Sequence, residues 1–151
     1  MLRILALLVF LVALGCAGPA AGQVAVTYFP FQSVLAVSTD TERRLWTGLN
    51  AETNTFVSNT NLELQGAVNV RKGETVNYYA GLGLNGNPFY ALNQLPLLNG
   101  YSATVGARIK PLPNRRNVQL VFELAPYLNR YLDGGFLRTR LGLAYNFRRA
   151  K

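Results

Sequence analysis

Gly81, Gly83 and Gly86 spell a G-x-G-x-x-G spacing. At a strand-to-helix turn such glycines let backbone N–H groups approach a pyrophosphate. Here Leu82 and Leu84 alternate with them inside a strand-like run, and Asn87-Pro88 follows where a helix would have to start. No dinucleotide site is expected. The chain has no histidine, which removes the commonest general base, the Ser–His nucleophile pair and most zinc sites. Glu52, Glu63 and Glu123 fall in separate segments and form no evident acid/base pair. A protein without catalysis, metal or cofactor is expected. What remains is a set of charged and phenolic side chains at polar positions: Glu63 and Glu123 of one sign, Arg108, Arg138 and Arg140 of the other, and Tyr79. Enclosed together, opposite charges of this kind neutralise one another. Exposed, they are ordinary surface charge. The elements that carry them decide between the two.

Those elements alternate with a period of two. Leu62, Leu64, Val68 and Val70 share one face, with Glu63, Gln65, Asn69 and Arg71 on the other. Tyr101, Ala103, Val105, Ala107 and Ile109 stand against Ser102, Thr104, Gly106, Arg108 and Lys110 in the same way. Such a pattern predicts strands with one apolar and one polar face. Seven are expected, near Ser33–Thr39, Arg44–Glu52, Asn61–Arg71, Thr75–Gly86, Gly100–Lys110, Asn117–Leu128 and Leu137–Phe147, with an eighth at Val24–Phe29. Pro126 is expected to end its strand early or to mark a bulge, because proline cannot donate to a ladder. No sustained helical period follows residue 22. The connections are too short for parallel crossovers, so the fold class is all-β, an antiparallel up-and-down barrel, with eight strands favoured over seven.

The first 22 residues stand outside this fold. Arg3, the apolar run Ile4–Leu14 and the small residues from Gly15 to Gly22 form the three regions of a signal peptide, too short to span a bilayer as a helix. The expected division is 1–22 signal peptide and 23–151 barrel domain. A retained anchor is the alternative. Cys16, the single cysteine, follows Ala13-Leu14-Gly15 and partly matches a lipidation box, so cleavage and lipidation both remain open. The remaining length suits one domain without disulfides.

Half of the chain is apolar and only 15% charged, with a net charge of +8. Arg43, Arg44, Arg71, Lys72, Lys110, Arg115, Arg116, Arg148, Arg149 and Lys151 fall in the short connections or the tail. They predict a basic collar at one end, suited to anionic headgroups or simply to solubilised turns. Nucleic-acid binding is not expected, since no stacking or groove-entering element accompanies the charge. Longer connections at Thr53–Thr60, Asn87–Asn99 and Asn129–Gly135 alternate with the short ones, and this alternation requires a strand before Ser33.

Which face points outward is the remaining question. The last strand offers Leu137, Leu141, Leu143, Tyr145 and Phe147 against Arg138, Arg140, Gly142, Ala144 and Asn146, and Asn117–Leu128 is similarly two-faced. A soluble barrel would bury the first set, a membrane barrel the second. Glycines and alanines among the polar positions favour a narrow polar interior filled by large-on-small packing. If Arg71 pairs with Thr75, Glu63 faces Gly83, Gln65 faces Gly81 and Tyr79 faces Ala67. Tyr28, Tyr101, Tyr127, Tyr145 and Phe147 gather near strand ends, as interfacial girdles do.

Val76–Leu84 (VNYYAGLGL) and Leu137–Phe147 (LRTRLGLAYNF) give the chain a resemblance to small outer-membrane β-barrel proteins of double-membraned bacteria. The likeness covers nearly all of residues 23–151. The second segment resembles the aromatic-ending final strand read by the barrel assembly machinery, departing from it in the Arg148-Arg149-Ala150-Lys151 tail. The resemblance implies an outer-membrane location, with lipid and the assembly machinery as partners. It does not imply an activity. Acyl-transferring and lipid-cleaving barrels of this kind usually rely on a histidine, which is lacking here. The expected function is a structural or surface-interaction role, with a plugged lumen and an outer loop carrying Phe89, Tyr90, Leu95, Leu97 and Leu98. Those loop residues would either meet an unidentified surface partner or fold over the barrel mouth. The alternative is a soluble periplasmic lipocalin-like barrel holding a small apolar ligand among Leu64, Val105, Leu120 and Leu143.

Overall fold

Eight antiparallel strands close into one barrel in chain order: β1 (Val24–Phe29), β2 (Val34–Thr39), β3 (Leu45–Glu52), β4 (Leu62–Lys72), β5 (Val76–Gly86), β6 (Leu98–Ile109), β7 (Val118–Asn129) and β8 (Gly135–Phe147). This is a computed structural model, and it describes residues 23–52, 61–88, 90 and 93–147. The 1–22 segment with Cys16, the Thr53–Thr60 connection, Phe89 and the basic tail lie outside the described residues. Closure comes from β1 pairing with β8, Val24 opposite Phe147 and Tyr28 opposite Leu143. The expected strand at Val24–Phe29 is therefore the one that seals the sheet, leaving no open edge.

The alternation resolves in one sense throughout. Leu62, Leu64, Val68 and Val70 point outward while Glu63, Gln65, Ala67 and Asn69 are buried inside. In β8 Arg140, Gly142, Ala144 and Asn146 are buried, and Leu141, Leu143, Tyr145 and Phe147 are exposed. The interior also has an apolar belt. Phe29, Val34, Ala36, Trp46, Ala67, Tyr79, Val121 and Ala144 form one buried cluster.

Four expectations need correction. The β4–β5 register is Glu63 opposite Asn85, Gln65 opposite Gly83, Ala67 opposite Gly81 and Asn69 opposite Tyr79. The assumed Arg71–Thr75 pairing fails because the turn is wider: Lys72 pairs with Asn77 and Arg71 with Tyr78, and Val70 beyond them is an extra residue in β4. Within the turn Asn77 accepts a hydrogen bond from the Gly73 N–H at 3.2 Å. Such a bulge lets two residues oppose one and slides the register beyond it.

Pro126 does not end β7, which runs on to Asn129 and keeps Pro126 opposite Leu137 of β8. The β6 side gives way instead. Pairing stops at Ser102–Tyr127 and resumes at Val105–Leu124, so Ala103 and Thr104 lack ladder partners in β7. On the outer wall beside this gap, Gly66, Ala80, Ala103 and Pro126 floor a groove of about 560 Å³.

Tyr127 is half-buried and donates its hydroxyl to the Asn99 carbonyl at 3.1 Å, so it does not belong to the outward aromatic set. Tyr28, Tyr101, Tyr145 and Phe147 do face outward. The division of connections by length is also looser than expected, because the link 110–117 is longer than the link 130–134. β7 and β8 both extend further into their shared hairpin than their apolar patterning indicates.

Candidate functional site: the polar lumen

Each interior charge sits at an inward strand position and needs a small neighbour to lie down in a narrow barrel. Across the wall, Tyr79, Gly106, Glu123 and Arg140 are successive partners on β5, β6, β7 and β8. A Cβ on Gly106 would collide with the Tyr79 ring. The bare glycine therefore lets the phenol pass over β6 and donate to Glu123 Oε1 at 2.5 Å. Glu123 Oε2 accepts from Arg140 Nη1 at 3.4 Å.

Arg140 continues the chain through Nη2 to Glu63 Oε2 at 3.1 Å. Arg138 Nη2 stands 2.9 Å from the same oxygen. Glu63 Oε2 also accepts from Asn85 Nδ2 at 2.9 Å, and Oε1 from Asn50 Nδ2 at 3.5 Å. The Glu63 stem leans over Gly83, where an added Cβ would meet its Cγ at 3.2 Å. Five of the six expected lumen residues thus form one continuous path: Tyr79, Glu123, Arg140, Glu63 and Arg138. Low local dielectric strengthens such pairs, yet desolvation offsets much of the gain, so the network defines a geometry more than it adds stability.

Arg108 is the exception. It is buried in the same interior, but its guanidinium carbon lies 5.0 Å from the Trp46 ring centre and 5.4 Å from that of Tyr79. It takes part in none of the ion pairs among the described residues.

A second cluster, absent from the expectations, closes the end of the barrel where β1 begins and β8 ends. The β2–β3 turn folds inward, and Thr41 is fully buried there. Glu42 accepts from Lys110 Nζ at 2.8 Å, Gln119 Nε2 at 2.9 Å and Asn77 Nδ2 at 3.2 Å. Asn69 donates to the Thr41 and Arg43 carbonyls, and Asn146 to Asp40 and Thr41. Burial pushes the Glu42 carboxyl up, but the Lys110 ammonium and the two amide donors outweigh it and hold the group below its ordinary range. Lys110 is therefore a plug residue and leaves the basic collar, while Arg43, Arg44, Arg71, Lys72, Arg115 and Arg116 remain exposed at that end. Parity with Arg108 signals the inward direction of Lys110. Nothing periodic marks a turn residue such as Glu42. Trp46 was legible too, sharing its parity with Gly48 and Asn50 and opposing Leu45 and Leu49.

At the other end, Tyr90 is half-buried, Leu97 is exposed, and Leu98 is the first residue of β6 and so no longer in the loop. Tyr90, Leu95, Pro96, Leu98, Asn99, Asn129, Arg130 and Tyr131 border a recess of about 310 Å³. Gly81, Gly83 and Gly86 all lie within β5 and pair with β4 and β6 as part of the wall, so they do not form the strand-to-helix turn that a pyrophosphate site needs. Among the described residues, no group of three His, Cys, Asp or Glu side chains could hold a metal ion.

Compared with protein-family models, curated proteins and solved structures, the chain has no match in any of the three.

Proposed function

We propose that this protein is a non-enzymatic outer-membrane barrel whose plugged lumen holds a rigid wall and whose outer loops carry its contacts. One observation carries the reading: the barrel is inverted relative to a water-soluble one. Leu82 and Val70 are 73% and 71% exposed, while Glu63 and Arg140 are each 3% exposed. Water disfavours both halves of that arrangement, and a hydrocarbon surround favours both. The outward aromatics are consistent with it. Tyr145 packs edge-on against Phe147 at the end of β8, and Tyr28 and Tyr101 stand near the opposite rim.

A pore is not part of the reading. In an eight-stranded barrel side chains fill the interior, and here the Glu63–Arg140–Glu123 network and the inward β2–β3 turn do so. Any surface role falls to the loop end, where Tyr90, Leu98, Arg130 and Tyr131 border the recess. A soluble barrel with an apolar ligand would need Leu64, Val105, Leu120 and Leu143 inside, and all four lie on the outer face.

The test is electrophoretic mobility of the outer-membrane fraction, boiled and unboiled. A band in that fraction that shifts on boiling is expected. A periplasmic protein with no shift would overturn the proposal and direct ligand screening to the soluble alternative.

A further inference from the structure

The interior charges do not all find partners. The strands place Arg108 and Arg140 fully inside and Arg138 half-buried, against the buried carboxylates Glu63 and Glu123 and the half-buried Glu52 at the rim. Both buried carboxylates are already engaged, Glu63 by Arg138 and Arg140 and Glu123 by Arg140 and Tyr79. At the plugged end Lys110 is matched by Glu42 and Asp40 by Arg43. The guanidinium without an ion pair among the described residues is Arg108. It is 2% exposed, and its Nε and Nη1 atoms are buried without a hydrogen-bond partner. Trp46, 3% exposed and in contact with that guanidinium, likewise buries an unpartnered indole Nε1.

A buried cation with unmet donors is costly. The ring faces of Trp46 and Tyr79 offset part of that cost, since cation–π contacts contribute about 0.5–2 kcal/mol each. They do not satisfy the N–H groups, which lie in the plane of the guanidinium rather than on its faces. An anion would satisfy both the charge and the donors. The same ring faces repel an anion, so it would have to sit at the edge, where guanidinium and indole N–H groups are available. The tightly filled interior limits its size. A Cβ on Gly106 would already strike Tyr79, and one on Gly142 would lie 2.7 Å from the Phe29 ring.

We propose that Arg108 and Trp46 form a buried binding site for a monatomic halide of chloride size. The site lies inside the wall and does not depend on what wets the outer face.

Trp46 is the only tryptophan in the chain, so its emission reports on this site alone. The purified barrel in detergent would be titrated with bromide at constant ionic strength, sulfate replacing the balance. Bromide quenches indole on contact and chloride does not. The expected result is a saturable loss of emission that chloride restores by competition. Neutral acrylamide, unable to use the cation, should quench far less at equal concentration. Arg108→Gln should abolish the saturable component, while Tyr131→Phe at the distant loop should leave it intact. The proposal is overturned if wild-type quenching is absent, rises linearly with bromide, or ignores chloride; ordered water would then meet these donors. Should Arg108→Gln fail to give a heat-shifting barrel, competition between chloride and bromide in the wild type decides the matter alone.

Discussion

Tyr79 reaches over the bare backbone of Gly106 to donate its hydroxyl to Glu123, 2.5 Å away on the second strand along. The contact joins the apolar belt, through the edge-on Trp46–Tyr79 packing, to the ion-pair network. It explains why the barrel wall needs glycine at one place and merely tolerates it at another. Gly66, on the outer face of β4, has nothing within 4 Å of an added Cβ, whereas Gly106 has the Tyr79 ring and the Phe122 carbonyl there.

Gly66→Ala and Gly106→Ala should therefore act in opposite directions. The first reduces the freedom of the unfolded chain and should stabilise by about 0.4–1 kcal/mol. The second displaces Tyr79 from Glu123 and should destabilise by about 1–3 kcal/mol, as overpacking does. Unfolding midpoints in denaturant, with the refolded barrel in detergent, measure both.

Glu63→Gln should be more damaging than either. It removes the carboxylate facing Arg138 and Arg140 and leaves buried guanidiniums short of a counter-charge, a loss of about 3–5 kcal/mol. Adding Arg138→Gln to that background should recover part of the loss. A double-mutant cycle reads the coupling directly; strict additivity would show that the pair is not energetically linked.

The plugged end should be acid-labile. Because the Glu42 carboxyl is held below its unfolded value, its contribution is present above that value, roughly pH 4.3. It is lost as pH falls through the lower folded value. Stability measured from pH 7 downward should drop more steeply in the wild type than in Glu42→Gln over that acid range. Above pH 5 the Glu42 term should be flat, and parallel curves throughout would contradict the prediction.

Leu120→Arg tests the outer face. Leu120 points outward between Ile109 and Leu143. In a bilayer a cation costs about 2–4 kcal/mol at the midplane and less towards the rim, and Leu120 lies two residues inside the level of Tyr145. Assembly should fail or the heat-shifted band should weaken sharply, whereas Gln65→Asn, inside the lumen, should assemble. Unchanged assembly of Leu120→Arg would mean that water wets this face.

Much of the site was present in local patterning. Parity alone placed Glu63, Tyr79, Arg108, Glu123, Arg138 and Arg140 on the polar side, since side chains alternate with a fixed period along a strand. The alternation of connections demanded a strand before Ser33, and Val24–Phe29 occupies that place. The loop residues were less legible. Leu98 joined β6, and Phe89 lies outside the described residues.

Parity, then, is what the sequence by itself determined: the strands, with eight favoured over seven, and the division of their residues between two faces, whereas the closed wall decided the number and which face is the interior. Which carboxylate meets which guanidinium was settled only by closure. Glu63 and Arg140 are far apart in the chain, and their meeting depends on the accumulated stagger of every strand between them. The bulge at Val70 moved one step of that stagger, and the inward β2–β3 turn placed Glu42 on Lys110 with no periodic signal to announce it. Arg108 was left without a carboxylate by the same process. Strand periodicity is a property of neighbours along the chain, whereas pairing across a closed wall is a property of the whole ring.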